Sequence, residues 1–165
     1  MKARKKCKEL GIELLEANVE NSVGVLEAAR SVVSRGAQAL WIGADNTVEM
    51  AVDSVVAAVR EGKIPVFAGA PATVGRGVLF ALGADYYEVG SLSGDLASRI
   101  LKGLDPAAVR VENIVPERLA IDTKALRGLK DPWKIPPALM AKASTPRKSA
   151  EATEPRPKAP EPGRT

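Results

Sequence analysis

No histidine occurs anywhere in the chain, and Cys7 is its only cysteine. The first absence removes a Ser-His-Asp or Cys-His relay and any imidazole metal site. The second removes an internal disulfide and a thiolate zinc cluster. Lys5, Lys6 and Lys8 around Cys7 favour a thiolate, but no partner base stands near it, so an ordinary helix cysteine is expected. Glycine fingerprints are missing too: Gly75, Gly77 and Gly83 do not have the G-x-G-x-x-G spacing, and no G-x-x-x-x-G-K-[ST] loop is present. Carboxylates and lysines are plentiful but nothing pairs them for catalysis, so neither an enzyme, nor a metal, nor a cofactor is expected. No apolar run approaches the roughly 18 to 20 residues of a membrane helix. The opening MKARKKCKELGIELLEA is basic but lacks the apolar core of roughly 7 to 15 residues that a signal peptide carries. As written, the chain is expected either to be cytoplasmic or to have its true start upstream.

Aromatic residues are only 4% of the chain, and the positive charge sits at its ends. Residues 1–8 carry +5 and residues 142–165 carry +3; against a whole-chain charge of +4, the body from Glu9 to Ala141 is left at −4. A nucleic-acid surface would need a basic face on the folded body with aromatics interleaved, so no nucleic-acid partner is expected.

What the chain does have is alternation. Between Ala39 and Gly103 short apolar runs hand over to helical patterns through polar steps: ALWIGADNT, then a helix, then IPVFAGAPAT, then RGVLFALGADYYEVGS. Buried runs of four or five residues followed by helices are the pattern of a parallel α/β sheet, here expected as a three-layer, Rossmann-like one. Ligands of such sheets collect outside the carboxyl ends of the strands. The steps Asp45-Asn46-Thr47 and Gly69-Ala70-Pro71-Ala72-Thr73 therefore carry the functional expectation. Helix N-termini there would hold a carboxylate through backbone N–H groups and the helix dipole, and Asp45 would suit an ammonium group. Asp, Asn and Thr are equally ordinary N-cap residues, so capping alone is the competing reading.

The spacing predicts a helix over residues 2–10 closed by Gly11, a strand from Ile12 to Val19, and a helix capped by Asn21 or Ser22 with an apolar stripe of Val25, Leu26, Ala29, Val32 and Val33. A strand follows at Ala39 to Ile42, where Trp41 is expected in the core. One helix from Asp45–Thr47 to about Arg60, a strand at Ile64 to Phe67, a helical turn at Thr73 to Arg76 and a strand at Val78 to Leu82 come next. A helix from Tyr86 or Tyr87 to Leu101 then presents Leu92, Leu96, Ile100 and Leu101 on one face. Pro106 to Pro116 connects to a last strand at Leu119 to Ile121 and a short helix at Thr123 to Leu129. Residues 144–165 hold five of the twelve prolines and no apolar residue larger than alanine. Such a segment buries too little to offset ordering entropy, which divides the chain into a folded unit, 1–143, and a disordered Pro-rich tail, 144–165.

Four pieces of this chain together resemble a known family: the Asp45-Asn46 step, the IPVF strand, the RGxLxxLGxDYYxxG stretch of Arg76 to Gly90, and the LKG helix end with IPPAL at Ile135 to Leu139 downstream. Over residues 3–143 the chain is similar to the C-terminal part of ABC-transporter substrate-binding proteins, in the group that binds aromatic or branched amino acids on the type I periplasmic-binding-protein fold. The resemblance implies two α/β lobes joined by a hinge, a small amino-acid-like solute held between them, an ABC permease in the membrane as partner, and a periplasmic or extracellular lipoprotein location. It implies contacts from Asp45, Asn46, Thr47, Gly69, Ala70, Thr73 and Tyr86. Ala70 stands where the group commonly has an acidic residue, so a substrate amine finds no carboxylate there. The resemblance also implies an N-terminal lobe and a first strand that the 165 residues do not supply, so a C-terminal fragment that binds poorly by itself is expected. In a flavodoxin-like order the absent strand would leave a gap beside its neighbours. A ligand-sensing domain of a repressor-type regulator shares this lobe architecture and is the alternative.

Overall fold

A computed structural model describes residues 2–43, 45–111 and 115–143. The tail, 144–165, and residues 112–114 of the 106–116 connector lie outside the described residues. Four strands, β1 (Leu40–Ile42), β2 (Val66–Ala68), β3 (Phe80–Ala84) and β4 (Glu117–Ile121), form one open sheet in the order β1-β2-β3-β4. β1, β2 and β3 are parallel, as the alternation predicted; β4 runs antiparallel to β3. The helices are α1 (Lys2–Glu9), α2 (Val25–Ser34), α3 (Asn46–Met50), α4 (Val52–Gly62), α5 (Tyr86–Leu101) and α6 (Pro137–Lys142).

Local chemistry accounts for most boundaries. Asn21 Oδ1 accepts from the backbone N–H groups of Val23 (3.1 Å) and Gly24 (3.3 Å), capping a 3₁₀ turn, Ser22–Gly24, that leads into α2. The single helix expected from Asp45 to Arg60 is two, broken at Ala51 (φ −96°, ψ 23°), which lets Val48 and Ala51 as well as α4 reach the core. α4 ends not on a left-handed glycine but on Lys63 (φ 53°). Gly62 serves closeness instead: a Cβ there would lie 2.5 Å from Val33 Cγ1, so its absence sets how near α4 approaches α2.

Side chains alternate across the sheet. On one face Ile42, Val66, Ala68 and Ala81 meet Val25 of α2 and Val52, Val55, Val56 and Val59 of α4 in a single buried cluster. On the other face Trp41, Phe67 and Phe80 stand in register. Phe67 contacts Phe80 edge-on at 6.0 Å between ring centres and Trp133 at 5.8 Å. Trp41, expected in the core, is 59% exposed, because alternation puts it on the face away from α2 and α4, on the outermost strand.

The expected strand from Ile12 to Val19 is not one. The segment pairs with no strand, and Ile12 and Leu14 are exposed. β1 has an open edge on that side: Leu40 N–H donates to Pro65 O (3.0 Å) and Ile42 O accepts from Gly69 N–H (3.1 Å), so the Trp41 backbone groups between them face away from β2. Among the described residues no strand pairs with that edge, and Ile12 to Val19 joins no ladder. Smaller shifts affect the other expectations. The helical turn falls at Pro71–Thr73 rather than Thr73 to Arg76, β2 and β3 begin two residues later than predicted, and the short helix expected at Thr123 to Leu129 is a 3₁₀ turn, Thr123–Leu126.

Two ion pairs tie surface elements together. Arg30 Nη2 meets Glu61 at 2.8 Å between α2 and α4, and Arg76 Nη2 meets Asp53 at 2.7 Å. Hydrogen bonds from Arg30 and Arg76 hold the Glu61 and Asp53 carboxyls below their ordinary values. A lowered folded-state value contributes stability above the ordinary carboxylate range and loses it as pH falls through the folded value. Thermal melts at low ionic strength should therefore show Tm falling on acidification below that range, less so in Asp53→Asn/Glu61→Gln; both groups are exposed, so the difference should be small.

Candidate functional site

Because β1, β2 and β3 are parallel, the segments that follow them emerge at one edge of the sheet: 43 and 45–47 after β1, 69–73 after β2, and 85–86 after β3. These hold all seven residues singled out from the sequence. The segments are fastened to one another. Gly69 N–H donates to Ile42 O at 3.1 Å, which joins the first turn to the second. A Cβ on Gly83 would fall 1.7 Å from Gly69 O, so the end of β3 lies directly against the second turn.

Asp45 has extended backbone (φ −144°, ψ 115°) and its Oδ1 accepts the Val48 N–H at 3.1 Å, making it the N-cap of α3. Asn46 and Thr47 open that helix, Asn46 exposed and Thr47 half-buried. Among the described residues neither side chain is engaged in a hydrogen bond, so both are available at the edge. In the second turn Gly69 and Ala70 are half-buried. Among the described residues Thr73 is the buried polar one, at 4% exposure; its Oγ1 donates to Ala70 O at 2.7 Å and its N–H to the same oxygen at 3.0 Å. Its hydroxyl thus shapes the turn from inside. Tyr86 opens α5 and is 79% exposed, next to Asp85, whose Oδ1 accepts from Glu88 N–H at 3.3 Å. The arrangement is an open row of polar side chains and helix starts.

Two cavities lie away from this edge. One of about 260 Å³ is lined by Phe67, Phe80, Trp133 and Pro136 on the aromatic face; another of about 350 Å³ lies between α4 and the loop of Gly75–Gly77. Neither cavity is lined by any of the seven residues. Among the described residues no cluster of carboxylates and thiols could hold a metal ion. Gly83 is the residue that sequence reading missed. It carries no functional group, and its role depends on a contact with a residue fourteen positions earlier.

A parallel strand edge of this kind is where the ligands of α/β sheets collect. The chain belongs to the ABC transporter substrate binding protein family, whose model matches residues 1–144. It is 27% identical over 122 residues to a "Tyrosine-binding protein" of Clostridioides difficile, covering 74% of this chain and 35% of that one. Among solved structures it is similar to a conserved domain protein of Vibrio cholerae O1 biovar eltor, with 30% identity and a TM-score of 0.71 over 86% of this chain and 47% of that one. A protein of Streptococcus pneumoniae solved in complex with L-Trp shares the fold, with 22% identity and a TM-score of 0.70 over 86% of this chain and 49% of that one. Of these relatives, the Clostridioides difficile one is named as a binding protein and the Streptococcus pneumoniae one holds L-Trp. The chain spans between about a third and a half of their length. No helix among the described residues is long and apolar enough to cross a membrane.

Proposed function

We propose that this chain forms one lobe of the solute-binding component of an ABC importer. It captures a small amino-acid-like solute, with an aromatic amino acid the first candidate, against an opposing lobe. It works outside the cytoplasmic membrane and delivers the solute to a membrane permease. The observation that carries this reading is the row of fastened turns at the carboxyl ends of β1, β2 and β3, with Asn46 and Thr47 unengaged. Tyrosine and tryptophan named for two relatives support the solute class. Asn46, Thr47 and the N–H groups at the start of α3 meet the carboxylate. Gly69 and Ala70 supply backbone to the solute, Thr73 holds their turn in shape, and Tyr86 borders it. Asp45 both caps α3 and places a negative charge for an amine.

The test is an NMR titration of the isolated chain with L-tyrosine, L-tryptophan, L-leucine and L-glutamate. An aromatic amino acid is expected to bind in the millimolar range, because one lobe covers one side of a ligand whereas complete sites bury roughly 70 to 90% of it. Shifts should concentrate at amides 43–47, 69–73 and 85–86 and be lost in Asn46→Ala/Thr47→Ala. Asp45→Ala should in addition cost about 1 kcal/mol of stability through the lost cap. Shifts elsewhere, or none, sink the proposal. A Tm rise of several degrees at micromolar solute would mean a complete site within this chain and would sink the two-lobe form of the proposal.

A further inference from the structure

The turns 45–47 and 69–73 are tied to each other twice. The first tie is at the strand ends, where Gly69 N–H donates to Ile42 O. The second lies further along both segments. After the first turn, α3 closes at Ala51, and Asp53 stands in the opening turn of α4 beside the buried Val52. After the second, the chain passes against α4 before it enters β3. Gly77 (φ 100°) allows that approach, since a Cβ there would lie 2.6 Å from Val56 Cγ1. One residue earlier, Arg76 donates from Nε to Asp53 Oδ1 at 3.2 Å and from Nη2 to Asp53 Oδ2 at 2.7 Å. A two-bond fork of this kind fixes an angle as well as a distance. On its own side Arg76 is joined to the turn through backbone: its N–H donates to Thr73 O at 3.2 Å, and Thr73 N–H donates to Ala70 O at 3.0 Å.

We infer that Arg76 is a positioning residue of the candidate site. Its fork on Asp53 sets the spacing and tilt between the Asn46–Thr47 turn and the Gly69–Ala70 turn, so that both meet one solute. This rests on the solute-binding reading above. An exposed pair adds little to stability, because water screens it. Geometry is a stricter demand: a binding constellation has to be held within roughly 0.5 Å of its productive arrangement. One exposed fork can govern that tolerance without governing the fold. The Arg30–Glu61 pair supplies the comparison. It is also a fork, at 3.3 and 2.8 Å, but it joins α2 to α4 and contains no residue of either segment.

NMR without solute tests the spacing separately from solute capture, with each half of the fork removed and the effect read at the distant turn. Asp53→Asn should move the Gly69 and Ala70 amides, Arg76→Ala should move the Asn46 and Thr47 amides, and Glu61→Gln should move none of the four. All three variants should melt within about 3 °C of one another. In titrations with L-tryptophan, Asp53→Asn and Arg76→Ala should each weaken binding about three- to five-fold, and the double variant no further, because the two side chains act as one unit. Glu61→Gln should bind like the parent. Shifts confined to the sequence neighbours of each substituted residue would overturn the inference, as would a double variant whose loss is the product of the two single losses. A melting temperature for Arg76→Ala far below that of Glu61→Gln would also overturn it, since the fork would then hold the fold rather than the site. A parent chain that binds no L-tryptophan counts against the solute reading, while the four amides still decide whether the fork sets the spacing.

Discussion

Gly83→Ala is expected to lower the Tm by roughly 6–12 °C and to move the amide signals of residues 69–73. The substituted Cβ would fall 1.7 Å from Gly69 O, 2.9 Å from Gly69 C and 3.3 Å from Pro71 Cδ. All three belong to the second turn, and the nearest is backbone, so no rotamer change relieves the clash. Either β3 or the turn shifts, at about 3 kcal/mol, the upper end of the usual cost of overpacking. Gly90→Ala is the control: nothing lies within 4 Å of a Cβ there, and alanine favours the helix. A Gly83→Ala protein that melts and titrates like the parent would show that the turns are not fastened as described.

Ile42→Ala should cost about 2–5 kcal/mol in denaturant unfolding, with little change in the slope against denaturant. Ile42 is 2% exposed, belongs to the cluster shared by the sheet, α2 and α4, and offers its carbonyl to Gly69 N–H. Truncation leaves a void between β1 and the helices where the first turn of the candidate site begins. A loss below about 1 kcal/mol would mean that the site edge is not built on this core.

The strand-turn-helix rhythm, the bounds of α5, the Asn21 cap and the glycine stops at Gly11, Gly36 and Gly103 were legible in the sequence, because each depends on neighbouring residues. The position of the seven candidate residues at one edge followed from parallel strands alone. What could not be read depends on partners distant in the chain. Ile12 to Val19 has the apolar content of a strand but no neighbour with which to pair. The stripe of α5 has the spacing of a buried face, yet Val89, Leu96 and Ile100 are only half-buried and Leu92 is exposed. Trp41 sits in an apolar run, yet its face of the outermost strand is left open. The reversed direction of β4 goes with Asp85 N–H donating to Pro116 O, a contact between residues far apart in the chain that no local pattern encodes. Gly83 shows the same limit from the other side: it acts through the side chain it lacks, and only tertiary proximity reveals the need.

The two tryptophans of the chain, Trp41 and Trp133, are both on the aromatic face of the sheet, and neither belongs to the cluster beneath α2 and α4. Indole emission is therefore a one-sided optical reporter. It reads solvation along the Trp41–Phe67–Trp133 row and is nearly blind to repacking beneath the helices. A blue shift on addition of any molecule would locate that molecule, or the movement it causes, on the aromatic side of the sheet before a label is attached.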